Sequence, residues 1–174
     1  MSDASVEVLL DDFENKSKWE LVGVAARRAH LTTFVEGAPS KGLASFADGA
    51  MGRDIRALVV LIRKAADDLV VELASKPKPA FTVAGRLETL RLWVRSPHAA
   101  IRVYARLESE ASGYQEVLLA KVPTGALWQH SEYQLDEPIT DATLLGLKIR
   151  LMDVVKREGE VMILLDDLTV RTAG

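Results

Sequence analysis

Apolar and polar residues alternate along much of this chain with a period of two. Between residues 100 and 108 every second residue is apolar, and most of the residues between them are arginine, tyrosine or glutamate. Residues 90–94 and 145–151 show the same alternation. Successive side chains of a β-strand point to opposite faces, so the pattern predicts strands with one buried and one wet face. In the last segment the predicted buried residues are Leu145, Leu147, Ile149 and Leu151.

Shorter apolar runs add further strands between clear turn signals. These runs cover residues 6–13, 19–24, 31–36, 55–63, 69–73, 115–121, 128–135 and 161–171. Glycine and proline separate them, for example at Pro39, Pro123 and Gly159. About eleven short strands with turn residues between them are typical of an antiparallel sandwich or barrel. The sequence therefore predicts an all-β fold, an antiparallel β-sandwich.

Two segments fit this scheme less directly. Residues 57–68 place Leu58, Leu61 and Ala65 on one helical stripe, but the β-branched Val59 and Val60 favour a strand, which we predict. Residues 37–53 are rich in Gly, Ala, Ser and Lys and predict a long surface loop, where binding often occurs. No shift in composition marks a second domain, so we predict a single β-sandwich domain over residues 1–174.

Composition excludes several classes of function. The 174 residues include 22 Lys and Arg and 25 Asp and Glu, a formal net charge of −3, which gives no bulk attraction to nucleic acid. The absence of cysteine excludes disulfides, thiolate metal sites and cysteine nucleophiles. The apolar runs are much shorter than the roughly 20 residues of a membrane span. The opening residues Met1-Ser2-Asp3-Ala4 lack a secretory signal pattern.

No catalytic constellation is recognisable in the sequence. His30, His98 and His130 are scattered and lack the spacing of imidazole metal sites. A phosphate-binding glycine loop and a Gly-x-Ser-x-Gly nucleophile elbow are both missing. We therefore expect a protein that is not an enzyme and has no small-molecule ligand.

Two acidic groups lie near opposite ends of the chain. If the first and last strands are neighbours, Asp12 and Glu14 would approach Asp166 and Asp167. Hard oxygen ligands clustered in this way suit Ca²⁺, so these four residues are a candidate calcium site. The alternative is that the carboxylates accept backbone N–H groups at a β-bulge or pair with an arginine. The sequence leaves both interpretations open.

The aromatic residues suggest a binding surface. The candidates are Trp19, Trp93, Trp128, Tyr104, Tyr114 and Tyr133. Two of them share the polar faces of their strands with arginines, and the resulting face consists of Arg91, Trp93, Arg95, Arg102, Tyr104 and Arg106. Because aromatic residues and arginine carry much of the energy of protein interfaces, we predict a protein-binding face there. In the alternative of sugar binding, Trp128 or Tyr133 would stack against the sugar.

Several segments together resemble known families. The opening Asp11-Asp12-Phe13-Glu14 with Trp19, and the closing run of residues 164–170, resemble the galactose-binding-like jelly rolls of carbohydrate-binding modules. The middle adds FVEGAP at residues 34–39, LETLRLWVR at 87–95, VPTGAL at 122–127 and YQL at 133–135. In this order the segments resemble the flagellar filament outer layer (sheath) proteins of spirochaetes, the FlaA family.

The resemblance implies a jelly-roll fold and a structural function. Such a protein would belong to the periplasmic flagellar filament sheath and bind the flagellin core and neighbouring sheath proteins. It would act in the periplasm, although the sequence given begins without a signal peptide. The alternative function is that of a carbohydrate-binding module.

Overall fold

Two antiparallel sheets form a β-sandwich, as the sequence predicted. The computed structural model of the chain describes residues 5–14, 16–34, 37–39, 56–76, 81–156 and 158–173. The first sheet contains β1 (Ser5–Asp11), β3 (Ala29–Phe34), β4 (Ala57–Arg63), β7 (Arg86–Arg95), β10 (Gln129–Thr140) and β12 (Glu160–Ala173). The second contains β2 (Trp19–Val22), β5 (Val70–Ser75), β6 (Phe81–Thr82), β8 (Ala99–Ser109), β9 (Gly113–Val122) and β11 (Thr143–Val154). A short 3₁₀ helix, Val24–Arg28, connects β2 to β3.

The order of strands brings the two ends of the chain together. The strand order of the first sheet is β10-β7-β12-β4-β3. On the same edge of β12, β4 pairs with residues 160–165 and β1 pairs with residues 168–173. The second sheet runs β2-β5-β11-β8-β9, and β6 also pairs with β11. In the antiparallel pairing of β1 with β12, Val8 lies opposite Val170. The first and last strands are therefore neighbours, which is the condition that the candidate calcium site required.

The core lies between the sheets and is formed by alternate strand residues. Ile101, Val103, Ala105 and Leu107 on β8 are at most 1% exposed, as the alternation predicted. Leu90, Leu92 and Val94 on β7 are fully buried. These inward-facing residues belong to one hydrophobic cluster that also includes residues of most other strands. Burial of this apolar surface stabilises the fold at about 25 cal/mol per Å².

The structure differs from the predictions at several places. Leu144, not Leu145, is buried at the start of β11, because the register with β8 shifts between Leu144 and Gly146. The two-residue strand β6 was not predicted, and β10 continues to Thr140. The 3₁₀ helix begins at Val24, where a strand was expected to end. Residues 57–63 do form a strand, β4, whereas most of the predicted loop at 37–53 lies outside the described residues.

An aromatic cluster closes one end of the sandwich. The Trp19 ring lies 5.5 Å from the ring of Phe13 and 5.2 Å from that of Phe81. Its indole N–H donates to the carboxylate of Asp11, which also accepts the N–H of Phe13. Burial raises the pKa of Asp11, and the two hydrogen bonds act against that rise. Within the described ranges, no helix has the length and apolar character needed to cross a membrane.

Candidate functional site

The predicted aromatic–arginine face is divided between the two sheets. Arg91, Trp93 and Arg95 lie on β7 in the first sheet, whereas Arg102, Tyr104 and Arg106 lie on β8 in the second. The two groups point away from the core on opposite sides of the sandwich. The expectation of one continuous face is therefore wrong, because the alternation identifies the wet side of each strand but not the sheet that contains it.

On the first sheet, the predicted residues mainly contact their own neighbours. The guanidinium of Arg91 pairs with Glu7 and also with Glu132, at 3.5 Å from the latter. The rings of Trp93 and His130 lie 4.8 Å apart. These contacts connect β1, β7 and β10, which indicates a contribution to the sheet itself.

The two candidate stacking rings, Trp128 and Tyr133, lie in different places. Trp128 packs against a buried cluster of Ala57, Val59 and Leu164 on the outer side of the first sheet. Tyr133 packs against the main core and lines a cleft of about 570 Å³ between β9 and β10. The structure therefore does not bring the two rings together as one platform.

A denser group of polar and aromatic residues lies on the outer side of the second sheet. We call it the tyrosine face, and it consists of Glu72 on β5, Lys148 on β11, Tyr104 and Arg106 on β8, and Tyr114 and Glu116 on β9. The register places Tyr104 between Lys148 and Leu118, and Arg106 between Gly146 and Glu116. Sequence reasoning identified Tyr104, Arg106 and Tyr114 as candidates but missed Glu72, Glu116 and Lys148.

Hydrogen bonds and ion pairs connect the tyrosine face across four strands. Arg106 Nε donates to the Tyr114 hydroxyl at 3.0 Å, and Lys148 Nζ donates to Glu116 at 3.0 Å. The Lys148 ammonium also lies 5.3 Å from the centre of the Tyr104 ring. A second guanidinium nitrogen of Arg106 lies 3.9 Å from Glu72. Each of these charged side chains therefore already has a preferred position before any ligand binds.

Two small residues, Gly146 and Ala74, lie opposite each other where β11 pairs with β5. Gly146 lies between Ala74 on β5 and Arg106 on β8. A methyl group at Gly146 would overlap the carbonyl oxygen of Leu73, so the backbones of β5 and β11 approach closely here. Ala74 is 4% exposed and Gly146 is buried, so this close approach joins the two strands beneath the longer side chains and is not itself surface open to a ligand.

The charged groups of the face are partly shielded from water. The side chains of Arg106, Lys148 and Glu116 are each 27% exposed, and that of Glu72 is 32% exposed. The hydrogen bond to Tyr114 raises the pKa of the Arg106 guanidinium, and Glu72 and Glu116 add to that effect. The face thus holds fixed donors and acceptors together with two rings, which is the composition of a polar ligand site.

The candidate calcium residues interact with backbone donors. Asp166 is fully buried, and its two carboxylate oxygens accept the N–H groups of Ala38 at 2.6 Å and Asp167 at 2.9 Å. The register of β12 against β7 shifts between Asp166 and Thr169, which is the bulge of the alternative interpretation. Asp12 accepts the N–H of Glu14, and Glu14 accepts that of Arg56.

In the described part of the chain, no group of three or more His, Cys, Asp or Glu residues is placed to hold a metal ion. A calcium site at Asp12, Glu14, Asp166 and Asp167 stays a prediction. A cation bound by the native state alone must raise the thermal midpoint. The prediction therefore expects a lower midpoint with a calcium chelator than with added calcium, and equal midpoints would contradict it.

Comparison with known proteins places the fold among jelly-roll sandwiches. No protein-family model and no curated protein matches the chain. Its structure is similar to the CBM22-1–GH10 modules of endo-1,4-beta-D-xylanase 10B from Clostridium thermocellum, complexed with xylohexaose, with a TM-score of 0.58 and 18% identity over 97% of this chain. It is also similar to the enzymatically active domain of tailspike protein 4 of bacteriophage CBA120, with a TM-score of 0.56 and 12% identity over 94% of this chain.

A third similar structure is a mutant of a family 29 carbohydrate-binding module, with a TM-score of 0.53 and 12% identity. That match covers 98% of this chain and 94% of the module, whereas the chain spans 28% of the xylanase and 20% of the tailspike structure. At these identities the likeness concerns the fold alone. The protein therefore has the jelly-roll sandwich fold found in carbohydrate-binding modules.

Proposed function

We propose that this protein is a carbohydrate-binding module that holds a glycan on the tyrosine face. The observation that carries the proposal is the grouping of two tyrosine rings with fixed cations and carboxylates on the outer side of the second sheet. The fold adds support, because one similar structure is a carbohydrate-binding module over nearly its whole length. The same likeness agrees with the expectation of a protein that is not an enzyme.

The chemistry of the face matches that of a sugar ring. A pyranose has apolar C–H faces, which pack on aromatic rings, and a rim of hydroxyls, which both donate and accept hydrogen bonds. Tyr114 is 53% exposed and offers ring surface directly. Arg106 and Lys148 would donate to hydroxyl oxygens, and Glu116 would accept from hydroxyl groups.

The dimensions of the face favour an oligosaccharide over a single sugar. The tyrosine face extends from β5 to β9 across β11 and β8, which is three interstrand spacings. At about 4.8 Å each these amount to roughly 14 Å. A ligand of this length would contact Glu72 at one end and Tyr114 at the other.

Loss of either tyrosine ring should weaken glycan binding. We expect Tyr104→Ala and Tyr114→Ala each to lower the affinity for a bound glycan at least tenfold, or about 1.4 kcal/mol. The reason is that each variant removes stacking surface, and Tyr114→Ala also removes the hydroxyl that positions Arg106. Affinity electrophoresis against a panel of plant and microbial polysaccharides identifies the ligand, and isothermal titration calorimetry measures the affinities.

Trp93→Ala is the matched control, because it removes an aromatic ring from the outer side of the opposite sheet. Its affinity should equal that of the wild type. Loss of binding in Trp93→Ala or Trp128→Ala, with both tyrosine variants unaffected, would move the site to the first sheet and contradict the proposal. A panel without any bound glycan would also contradict it and favour the sheath hypothesis, for which co-sedimentation with purified filaments is the direct measurement.

The sheath hypothesis rests on the sequence resemblance to the FlaA family. A periplasmic location and contacts with flagellin or other sheath proteins are part of that hypothesis. They stay predictions, because the fold likeness is equally compatible with a glycan-binding protein.

A further inference from the structure

Three cations lie side by side next to the tyrosine face. Arg150 on β11 lies opposite Arg102 on β8, and Arg102 lies opposite Lys121 on β9. All three point to the outer side of the second sheet, where Arg102 is half-buried and Lys121 is exposed. Like charges placed directly opposite each other on neighbouring strands destabilise a sheet. Folding alone therefore does not favour this row of cations.

The charges of this row are poorly balanced by the protein itself. Arg150 pairs with Asp68 at 2.7 Å. Among the residues that the structure describes, Arg102 and Lys121 form no ion pair with a carboxylate. By contrast, the adjacent tyrosine face pairs Lys148 with Glu116 and Arg106 with Glu72. The outer side of the second sheet thus has one part in which cations and carboxylates are paired, the tyrosine face, and one part with an excess of positive charge, the row of cations.

The cationic row lies within reach of a ligand on the tyrosine face. Arg102 and Tyr104 are two residues apart on β8 and point to the same side, which places them roughly 7 Å apart along the strand. Lys148 and Arg150 have the same relation on β11. Beside the row, Arg102, Lys121, Pro123 and Met152 line a depression of about 350 Å³. A sugar ring that contacts Tyr104 would therefore have Arg102 next to its rim.

We infer that the glycan recognised by this protein is anionic and carries the carboxylates of uronic acid residues, which Arg102 and Lys121 bind. This inference rests on the proposed function and adds the class of ligand. An arginine guanidinium can bind a carboxylate through two parallel hydrogen bonds, which are stronger than bonds between neutral groups. Because the net charge of the chain is −3, the attraction must come from this local row and not from the overall charge.

The test compares glycans that differ in their carboxylates. Sodium polygalacturonate and sodium alginate are the acidic probes, and fully methyl-esterified polygalacturonan and glucomannan are the neutral ones. We expect at least tenfold tighter binding of an acidic probe than of the neutral probes. The double variant Arg102→Gln/Lys121→Gln should lose at least tenfold in affinity for that acidic probe. Arg86→Gln/Arg171→Gln removes the same charge from exposed positions on the first sheet and should bind as the wild type does.

The outcomes separate this inference from the proposed function. Equal affinity for acidic and neutral probes, with loss of binding in Tyr104→Ala, would overturn the inference and leave the proposed function standing. Unchanged affinity in the Arg102/Lys121 double variant would also overturn it. Dextran sulfate that binds as tightly as the uronates would show general attraction of polyanions and would count against uronate recognition. Absence of binding to every probe would overturn both.

Discussion

Trp19→Ala should lower the free energy of unfolding by about 3–5 kcal/mol, the usual cost of removing a large aromatic side chain from a core. Trp19 is 2% exposed and lies between the rings of Phe13 and Phe81. Its removal leaves a cavity between them. It also takes a hydrogen-bond donor from Asp11, which is 4% exposed. Urea denaturation followed by circular dichroism measures the loss.

Two further variants separate packing from hydrogen bonding at this site. Trp19→Phe keeps a ring but loses the N–H group, so it should cost less than Trp19→Ala and should raise the pKa of Asp11 further. Trp93→Ala removes a partly exposed tryptophan whose ring contact is with His130, so its cost should be much smaller. A loss below about 1 kcal/mol in Trp19→Ala would contradict the burial of this ring, since truncation of a buried tryptophan typically costs about 3–5 kcal/mol.

Gly146→Ala should destabilise the sheet by about 1–3 kcal/mol or more, although it adds a single methyl group. The added carbon would overlap the carbonyl oxygen of Leu73 and lie 3.2 Å from the Cα atom of Ala74. Both atoms belong to the backbone of β5. They cannot turn away as a side chain could, so the ladder between β5 and β11 must shift.

Gly125→Ala is the matched control for this prediction. A methyl group at Gly125 meets nothing within 4 Å, and the backbone N–H that donates to Ser96 is retained. Its stability should therefore lie within about 0.5 kcal/mol of the wild type, as for most surface changes. Thermal and urea unfolding of both variants give the comparison, and equal stabilities would mean that β5 and β11 are farther apart than the structure describes.

The alternation of residues predicted most of the fold but not its irregularities. Ile101 to Leu107 follow a strict period of two, and every predicted inward residue of that strand is buried. On β11 the alternation wrongly predicted that Leu145 is buried. The register shift between Leu144 and Gly146 turns the residues before it to the opposite side of the sheet, so Leu144 faces the core instead. The sequence alone does not indicate that Gly146 must be a glycine. That requirement comes from the backbone of β5, which is distant in the chain and approaches Gly146 closely.

The candidate site was predictable in part. The sequence indicates that Tyr104 and Arg106 lie on a wet face, because they alternate with buried residues on a single strand. It gives no way to know that Lys148, more than forty positions further along the chain, lies opposite Tyr104. The sequence also does not show that Trp93 and Tyr104 lie on different sheets, because β7 and β8 have the same alternating pattern.

The amino-acid sequence by itself determined most of the strands and the side of most strands that is buried. Those features depend on interactions between residues that are close in the sequence, or on one repeated pattern. The tertiary structure decided which strands are neighbours, and therefore which wet residues share a surface. Strand pairing joins residues that are distant in the chain through backbone hydrogen bonds, which are nearly the same for every side chain.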